Sequence, residues 1–525
     1  MAGLLSLAAR RKVFICAVNG VIGAGQVADI HRYAGEQNMM RRIHATIAVG
    51  AVALYAGVVQ AADVFTIDAA ISEQDGPGYN ILFGTSNAEE LFQTLERDNL
   101  RRLVAQQSGG QFSGDEVIAA DLNFRGVDMT INFTEVGTPA LLFSIPDIDF
   151  TRVFGDQDTR EGNIDDLIEF LKTNEDGVAS QLSAELARSS PSDPVAGNPA
   201  SMQSRMADTD FKQAFTQKVS QVWGCGTSAS AEQKVMLAKA GFGCVTDVAD
   251  LNFRMPAVEL AQLGGPASDA AAVGLYDDYF SRINRVRGEN KLTLGLDYAQ
   301  VSGSAGNGGV EHESSVISLP LSYTVVFDND PRKRVIVRMP ISLIDTEGAS
   351  TYQVALGLAY NHPVTKAWSL TPSVGYSAAG SEDLASASAL ASFSLASSYT
   401  LNLGGWALNI GNMIGNYSTQ KITLGDYESD PGISNTVITN GILFSGPSSL
   451  LANDLVVEYY VNDTRYTGDD LFTDNAQEFG VNFGKLNTTG EVVTSFIKGS
   501  VSYTMASGDN GNEADMLRLS LIFKF

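Results

Sequence analysis

The 525-residue sequence predicts a mainly β protein: a C-terminal transmembrane antiparallel β-barrel of about 12 strands, preceded by a smaller α+β exported domain. Three observations carry that expectation. From Leu517 to Phe525 the sequence reads LRLSLIFKF, with Leu517, Leu519, Leu521, Phe523 and Phe525 on one face of a strand. Arg518, Ser520, Ile522 and Lys524 take the other face, the pattern of a closing barrel strand. Upstream, the same alternation returns repeatedly between polar turns. Finally, no later stretch reaches the roughly 18 apolar residues of a spanning helix. Only helices and closed barrels satisfy every backbone group in lipid, so a membrane location requires the barrel.

Composition narrows the classes. A formal charge of −25 argues against a nucleic-acid partner, which needs a basic surface. Hydrophobic residues make up 44%, an average share that alternating strands would conceal. At the amino terminus, Arg41 and Arg42 precede the apolar run IHATIAVGAVALYAGVVQAAD, and Val59-Gln60-Ala61 offers a cleavage site before Ala62. Residues 39–61 therefore read as a signal peptide, started at Met39 or Met40, with residues 1–38 an upstream extension of the frame. The plainer alternative, a membrane anchor, suits the short run Ile47–Val59 less well.

Residues 62–268 mix strands and helices. DVFTIDAAIS and YNILFG read as strands, and Ser86 with Glu89 as a capping box before the helix AEELFQTLERDNLRRLVAQQ. Val127, Met129, Ile131 and Phe133 alternate as a strand, and PALLFSIPDIDFTRVF continues in that vein. Ile164, Leu167, Ile168 and Leu171 share one face of a helix, and TDFKQAFTQKVSQVW is a second helical pattern. Between them SSPSDPVAGNPAS reads as a loop or hinge. Cys225 and Cys244 flank a short helical stretch and are expected to form one disulfide in an oxidising compartment. The hexapeptide ADLNFR occurs at Ala120–Arg125 and again at Ala249–Arg254, with divergent flanks. Residues 269–288 form a predicted helix ending in Arg282, Arg285 and Arg287, a connecting segment or a plug for a polar lumen.

From residue 289 onward the alternation is sustained. Leu292, Leu294, Leu296 and Tyr298 begin it, and Ile317 to Phe327, Val335 to Leu343, Val354 to Tyr360 and Trp368 to Tyr376 follow. Phe479, Val481 and Phe483, then Ile497, Val501, Tyr503 and Met505, resume it near the end. Loop lengths fix the count. ASGDNGNEAD, RYTGDDLFTDNAQ, GDYESDPGISN and SGSAGNGGVEHES are long, whereas NTTG, GPSSLLAN, NLGG, HPVTK and DNDPRK are short. Long outer and short inner loops alternate only if Trp406–Leu424 is one irregular strand, which makes the total about twelve. Pro320, Pro340 and Pro372 fall inside strands and mark weak points in the ladder. The small-residue run Ser386 to Ser398 is either a contact seam or a weakly specified strand.

With its terminal Phe signature, strand count and preceding helix, the region 270–525 resembles the β-domain of bacterial autotransporters. The upstream region departs from their long, cysteine-poor β-helical passengers and is closer to solitary autotransporter-like barrels that lack one. The resemblance implies a Gram-negative outer-membrane location and a role in anchoring or displaying the N-terminal domain. The expected partners are outer-membrane lipid, lipopolysaccharide and the barrel-assembly machinery. The alternative is a porin-like channel with the N-terminal domain as a periplasmic domain or plug. Leu517, Leu519, Leu521, Phe523 and Phe525 are the expected assembly signal. Deleting Phe525 is expected to lower the amount of heat-resistant barrel on semi-native gels, and an unchanged amount would refute that role.

Chemistry is sparse. His312 falls in an expected outer loop and His362 in an expected inner turn, so they share no site. No GxSxG, HExxH or Walker motif occurs. Asp156 and Asp158 open like a calcium loop, but Arg160 and Glu161 stand where a ligand and a glycine are required. The acidic loop clusters around Asp469, Glu428 and Asp509 read as solvated surface. No catalytic residue, metal site or cofactor is therefore expected, and the protein reads as a non-enzyme with an unknown ligand.

Overall fold

Alternating side chains dictate two separate sheets, and the computed structural model contains both. It describes residues 63–72, 78–107, 112–195, 198–219, 291–306, 311–327, 330–365, 367–403, 406–424, 427–448, 455–489 and 492–524, all within one compact unit, 62–525. The expected extension (1–38), signal peptide (39–61), Cys225–Cys244 disulfide, second ADLNFR copy, 269–288 helix and Phe525 lie outside the described residues.

The first sheet has six strands: β1 (Phe65–Ser72), β2 (Tyr79–Thr85), β3 (Val117–Phe124), β4 (Val127–Phe133), β5 (Leu141–Ile145) and β6 (Phe150–Phe154). Their order is β2-β1-β3-β4-β5-β6, antiparallel throughout. One face of each strand is buried, for example Phe65, Ile67, Ala69 and Ile71 of β1, against α1 (Ala88–Gln93), α2 (Arg97–Gln107), α3 (Arg160–Lys172) and α4 (Val178–Ser189). The predicted first helix is two. It breaks at Thr94–Glu96, and its cap is Asn87 rather than Ser86, with the Asn87 side chain accepting from Glu90 N at 3.1 Å. Asp156 and Asp158 lead into α3, where Thr159 Oγ1 caps the helix by accepting from Gly162 N. Burial opposes charge on the Glu116 carboxylate, yet the backbone N–H groups of Ser113 and Gly114 hold its pKa below the ordinary value.

The second sheet closes on itself. In chain order its strands are β7 (Lys291–Ser304), β8 (Glu311–Leu319 with Leu321–Phe327), β9 (Asp330–Arg338 with Ile341–Thr346), β10 (Ala349–Pro363), β11 (Trp368–Ser381) and β12 (Ser386–Asn402). There follow β13 (Ala407–Gln420), β14 (Ser434–Ser448), β15 (Leu455–Gly468), β16 (Asn475–Thr489), β17 (Val492–Ser507) and β18 (Glu513–Lys524). Each pairs antiparallel with its sequence neighbour, and β18 returns to β7 with Phe523 opposite Leu294. Twelve strands thus make the barrel, as the loop lengths require. Pro320 and Pro340 split β8 and β9 at neighbouring rungs, since Ile341 pairs with Leu319 on one side of the break and Arg338 with Ser322 on the other. Each proline withholds the N–H its strand needs there. The Trp406–Leu424 segment contributes one strand to the barrel, as expected, but a shorter one. β13 ends at Gln420, and Ile422–Leu424 pairs with Tyr427–Ser429 as a separate ribbon.

Side-chain alternation separates an apolar exterior from a polar interior. Leu292, Ile317, Val337, Leu356, Val374, Phe479, Val501, Leu517 and Leu519 are exposed on the outer wall. Ser373, Asn409, Glu458, Glu478, Asn482 and Lys498 point inward and are buried. Large apolar side chains on the outside of a closed barrel, with charged groups within, satisfy the bilayer on one side only.

Candidate functional site

The polar interior does not stand empty. After α4 the chain passes through Ser190–Val195 and Asn198–Ser201, nearly all of it buried, and enters the barrel as α5 (Met202–Val219). Of the expected loop or hinge, the described residues form a loop, and it is packed. Ala200 sits among Ala299, Val301, Val316, Ile344 and Met516 at one mouth of the barrel. An 18-residue helix is about 27 Å long. That matches a hydrocarbon core of about 30 Å.

The α+β domain caps the mouth at which α5 begins. Ala88 N donates to Asp383 O at 2.9 Å, Phe472 N to Ala187 O at 2.8 Å, and Asp430 N to Ser180 Oγ at 3.1 Å. Ala349 and Leu384 of the rim are fully buried in the domain's own core. Arg125, the last residue of the first ADLNFR copy, adopts φ 58° in the β3–β4 turn and forms a buried ion pair with Asp193 at 3.0 Å. A non-glycine residue in that conformation costs on the order of 1–3 kcal/mol. The hexapeptide thus sets a strand end and a turn that direct one arginine to the connection entering the barrel.

Two faces of α5 meet two kinds of wall. Met206, Phe211, Ala214 and Phe215, spaced at helical intervals, pack against β11–β14. The small residues of β12 form the seam: Ser388, Ser392, Ser394, Ala396 and Ser398 face inward and are buried. The Ser386–Ser398 run is therefore a contact surface. Phe211 and Phe215 stack at 4.9 Å over Gly411 and Gly441. A Cβ on Gly441 would lie 2.7 Å from Phe211 Cζ, so the backbone approach requires glycine there.

The polar face carries paired charges. Asp210 accepts from Tyr417 OH at 2.7 Å and Ser373 Oγ at 3.2 Å, and it forms an ion pair with Arg338. Arg338 also donates to Gln213 Oε1 at 2.8 Å. Asp208 receives Arg518 Nη1 at 2.7 Å and Lys212 Nζ at 2.9 Å, and Lys212 bonds Glu478 at 2.7 Å. Near its far end the helix offers Phe215 O to Asn409 Nδ2 at 2.8 Å. Buried charges are tolerated only when paired in this way.

The sequence-predicted residues fall as follows. Leu517, Leu519, Leu521 and Phe523 lie on the outer face of β18, while Arg518, between them, reaches α5. His312 is not in a loop but buried in β8, 3.2 Å from Glu347 Oε2, and His362 lies in β10 beside Tyr360. Among the described residues no group of three His, Cys, Asp or Glu is arranged to hold a metal ion. Asp208, Asp210 and Lys212 carry no weight in the sequence reading. The available signal was Asp208 and Lys212 four apart beside an apolar stripe, in a chain whose last strand carries an inward arginine.

These features define a class: a membrane-type β-barrel with a helix in its lumen and a folded domain over one mouth. No protein-family model matches the sequence, and no curated protein sequence matches it significantly. Among solved structures, the chain is similar to the β domain of the Bordetella autotransporter BrkA, at 12% identity and a TM-score of 0.33, covering 46% of this chain and 99% of that one. It is similar also to the translocator domain of the autotransporter NalP from Neisseria meningitidis, at 13% identity and a TM-score of 0.33, covering 48% and 96%. An outer-membrane channel from Pseudomonas putida F1 gives 12% identity and a TM-score of 0.32, covering 45% and 96%. At such identities the likeness is one of fold.

Proposed function

We propose that this protein is a non-enzymatic outer-membrane barrel of the autotransporter type that anchors its α+β domain at the surface of a Gram-negative cell. One observation carries the reading. α5 begins at the mouth covered by the α+β domain and runs toward the mouth at which β7 starts, so domain and first strand lie at opposite ends of the lumen. The domain's mouth also carries the longest connection, 421–433. Longer loops belong outside, which supports a domain on the outer side. Outer-membrane lipid and lipopolysaccharide surround the barrel in this reading, and the assembly machinery engages β18.

Protease treatment of intact cells is the test. Fragments from residues 78–195 released by external protease, with the barrel left intact, are the expected result. Cleavage only after the outer membrane is permeabilised would overturn surface display. The same helix supports a second reading, a channel closed by its own N-terminal domain, because α5 occupies the lumen that solutes would use.

A further inference from the structure

α5 leans on β11–β14, and the opposite side of the lumen retains a cavity of about 280 Å³. Its lining inverts the character of the chain. The whole sequence has 35 Lys and Arg against 60 Asp and Glu. The cavity is lined by Arg205, Lys212, Arg338, Lys498, Arg518 and Lys524, but only by Asp208 and Asp297 among acids. Arg338, Lys498, Lys212 and Arg518 have carboxylate partners. Arg205 makes no ion pair among the described residues, although the carboxylates of Asp297 and Asp208 act on it from farther away. Its guanidinium donates to the hydroxyls of Ser318 and Ser342, and its Nε has no hydrogen-bond partner.

One rung of the barrel explains the arrangement. Ser520, Asp297, Ser318 and Ser342 are directly opposed on the four adjacent strands β18, β7, β8 and β9. Cross-strand neighbours sit about 5 Å apart, so Asp297 lies within one residue's reach of the arginine anchored on Ser318. Asp297 Oδ1 is likewise buried without a hydrogen-bond partner. The rung thus sets an unsatisfied cationic donor beside an unsatisfied anionic acceptor, with Arg518 two residues from Ser520 on the same strand face. Buried groups left in this state are costly unless a ligand satisfies them.

We propose that this cavity binds an oxyanion that still carries a hydroxyl, either free hydrogenphosphate or a phosphomonoester in its monoanionic form. Its oxygens accept from Arg205, and its P–OH donates to Asp297. Sulfate has no such hydrogen at neutral pH and leaves Asp297 facing a like charge. The site is therefore selective, and a merely basic lumen is not.

Calorimetric titration of the full-length protein in nanodiscs tests this, with inorganic phosphate, glycerol 3-phosphate and sulfate in separate runs near pH 6, where about half of a phosphomonoester still carries its P–OH. Saturable binding of inorganic phosphate, at least tenfold tighter than sulfate, is expected. Glycerol 3-phosphate binding more tightly than inorganic phosphate assigns the site to monoesters, and the reverse order to the free ion. Arg205→Gln should weaken phosphate at least tenfold, and Asp297→Asn should narrow the gap between phosphate and sulfate. Heat-modifiable migration reports whether each variant folds, and Ser342→Ala, expected to weaken binding severalfold, replaces Arg205→Gln should that variant fail. Absent saturation, equal affinity for phosphate and sulfate, or unaltered binding in Arg205→Gln would overturn the site.

Discussion

Replacing Asp210 with alanine is expected to destabilise the seating of α5 by about 3–5 kcal/mol, the cost of breaking a buried ion pair from one side. The carboxylate is fully buried and gathers Arg338, Tyr417 and Ser373. Its loss strands a guanidinium and a phenol where water has little access. Gln213 still accepts from Arg338, but an amide oxygen does not neutralise the charge. The barrel's own ladder is untouched, so the effect should concentrate on the helix. Proteolysis of α5 in the detergent-solubilised protein should accelerate, while the unfolding temperature of the barrel, read from heat-modifiable migration, should move less. Converting both partners, Asp210→Ala with Arg338→Met, should restore much of the protection. Replacing a buried pair by apolar groups is often neutral, whereas halving it is not. A double variant as labile as Asp210→Ala would show that the pair itself is not what matters.

The contrast between these lumenal pairs and the outer wall explains what the sequence disclosed. Outward residues face one solvent, lipid, and must all be apolar, so Leu292 to Tyr298 and Leu517 to Phe523 announce themselves by period alone. Inward residues face either water or another part of the chain, and both select Ser, Asn, Asp and Arg. Nothing in LRLSLIFKF distinguishes an Arg518 that meets solvent from one that meets Asp208, 310 positions away. Local signals also compete. Ser86 and Asn87 are both good caps, and only the backbone at Asn87, φ −123° and ψ 120°, decides between them. The lumenal helix stayed hidden for a related reason. Two helical patterns precede the barrel, and the sequence marked the second, at 269–288 and outside the described residues, as a connecting segment or a plug. The described lumen holds the first, whose narrow apolar stripe of Met206, Phe211 and Phe215 suits a seam of serine, alanine and glycine rather than an ordinary core.

Removing residues 62–219 is expected to raise single-channel conductance in planar bilayers severalfold, because α5 fills the part of the lumen that β11–β14 enclose. The deletion leaves every strand pairing of the barrel in place, including the β18–β7 closure. Its exposed interior would present Glu458, Glu478 and the seam serines to water, which polar side chains accept readily. The intact protein should conduct weakly, through the cavity beside Arg205 and Arg518, and that residual current should favour anions because cations dominate the cavity lining. Deletion removes Arg205, Lys212, Asp208 and Asp210 together, so the wider pore should lose selectivity as it gains conductance. Reversal potentials in a salt gradient separate these effects. An intact protein already as conductive as the deletion would mean that α5 leaves the lumen in the bilayer, and would count against both the anchored-helix and the plug readings. A deletion that stays closed would mean that another part of the barrel sets the resistance. Between those limits, the ratio of the two conductances measures how much of the conducting lumen α5 obstructs when Asp208 and Asp210 hold it against the wall.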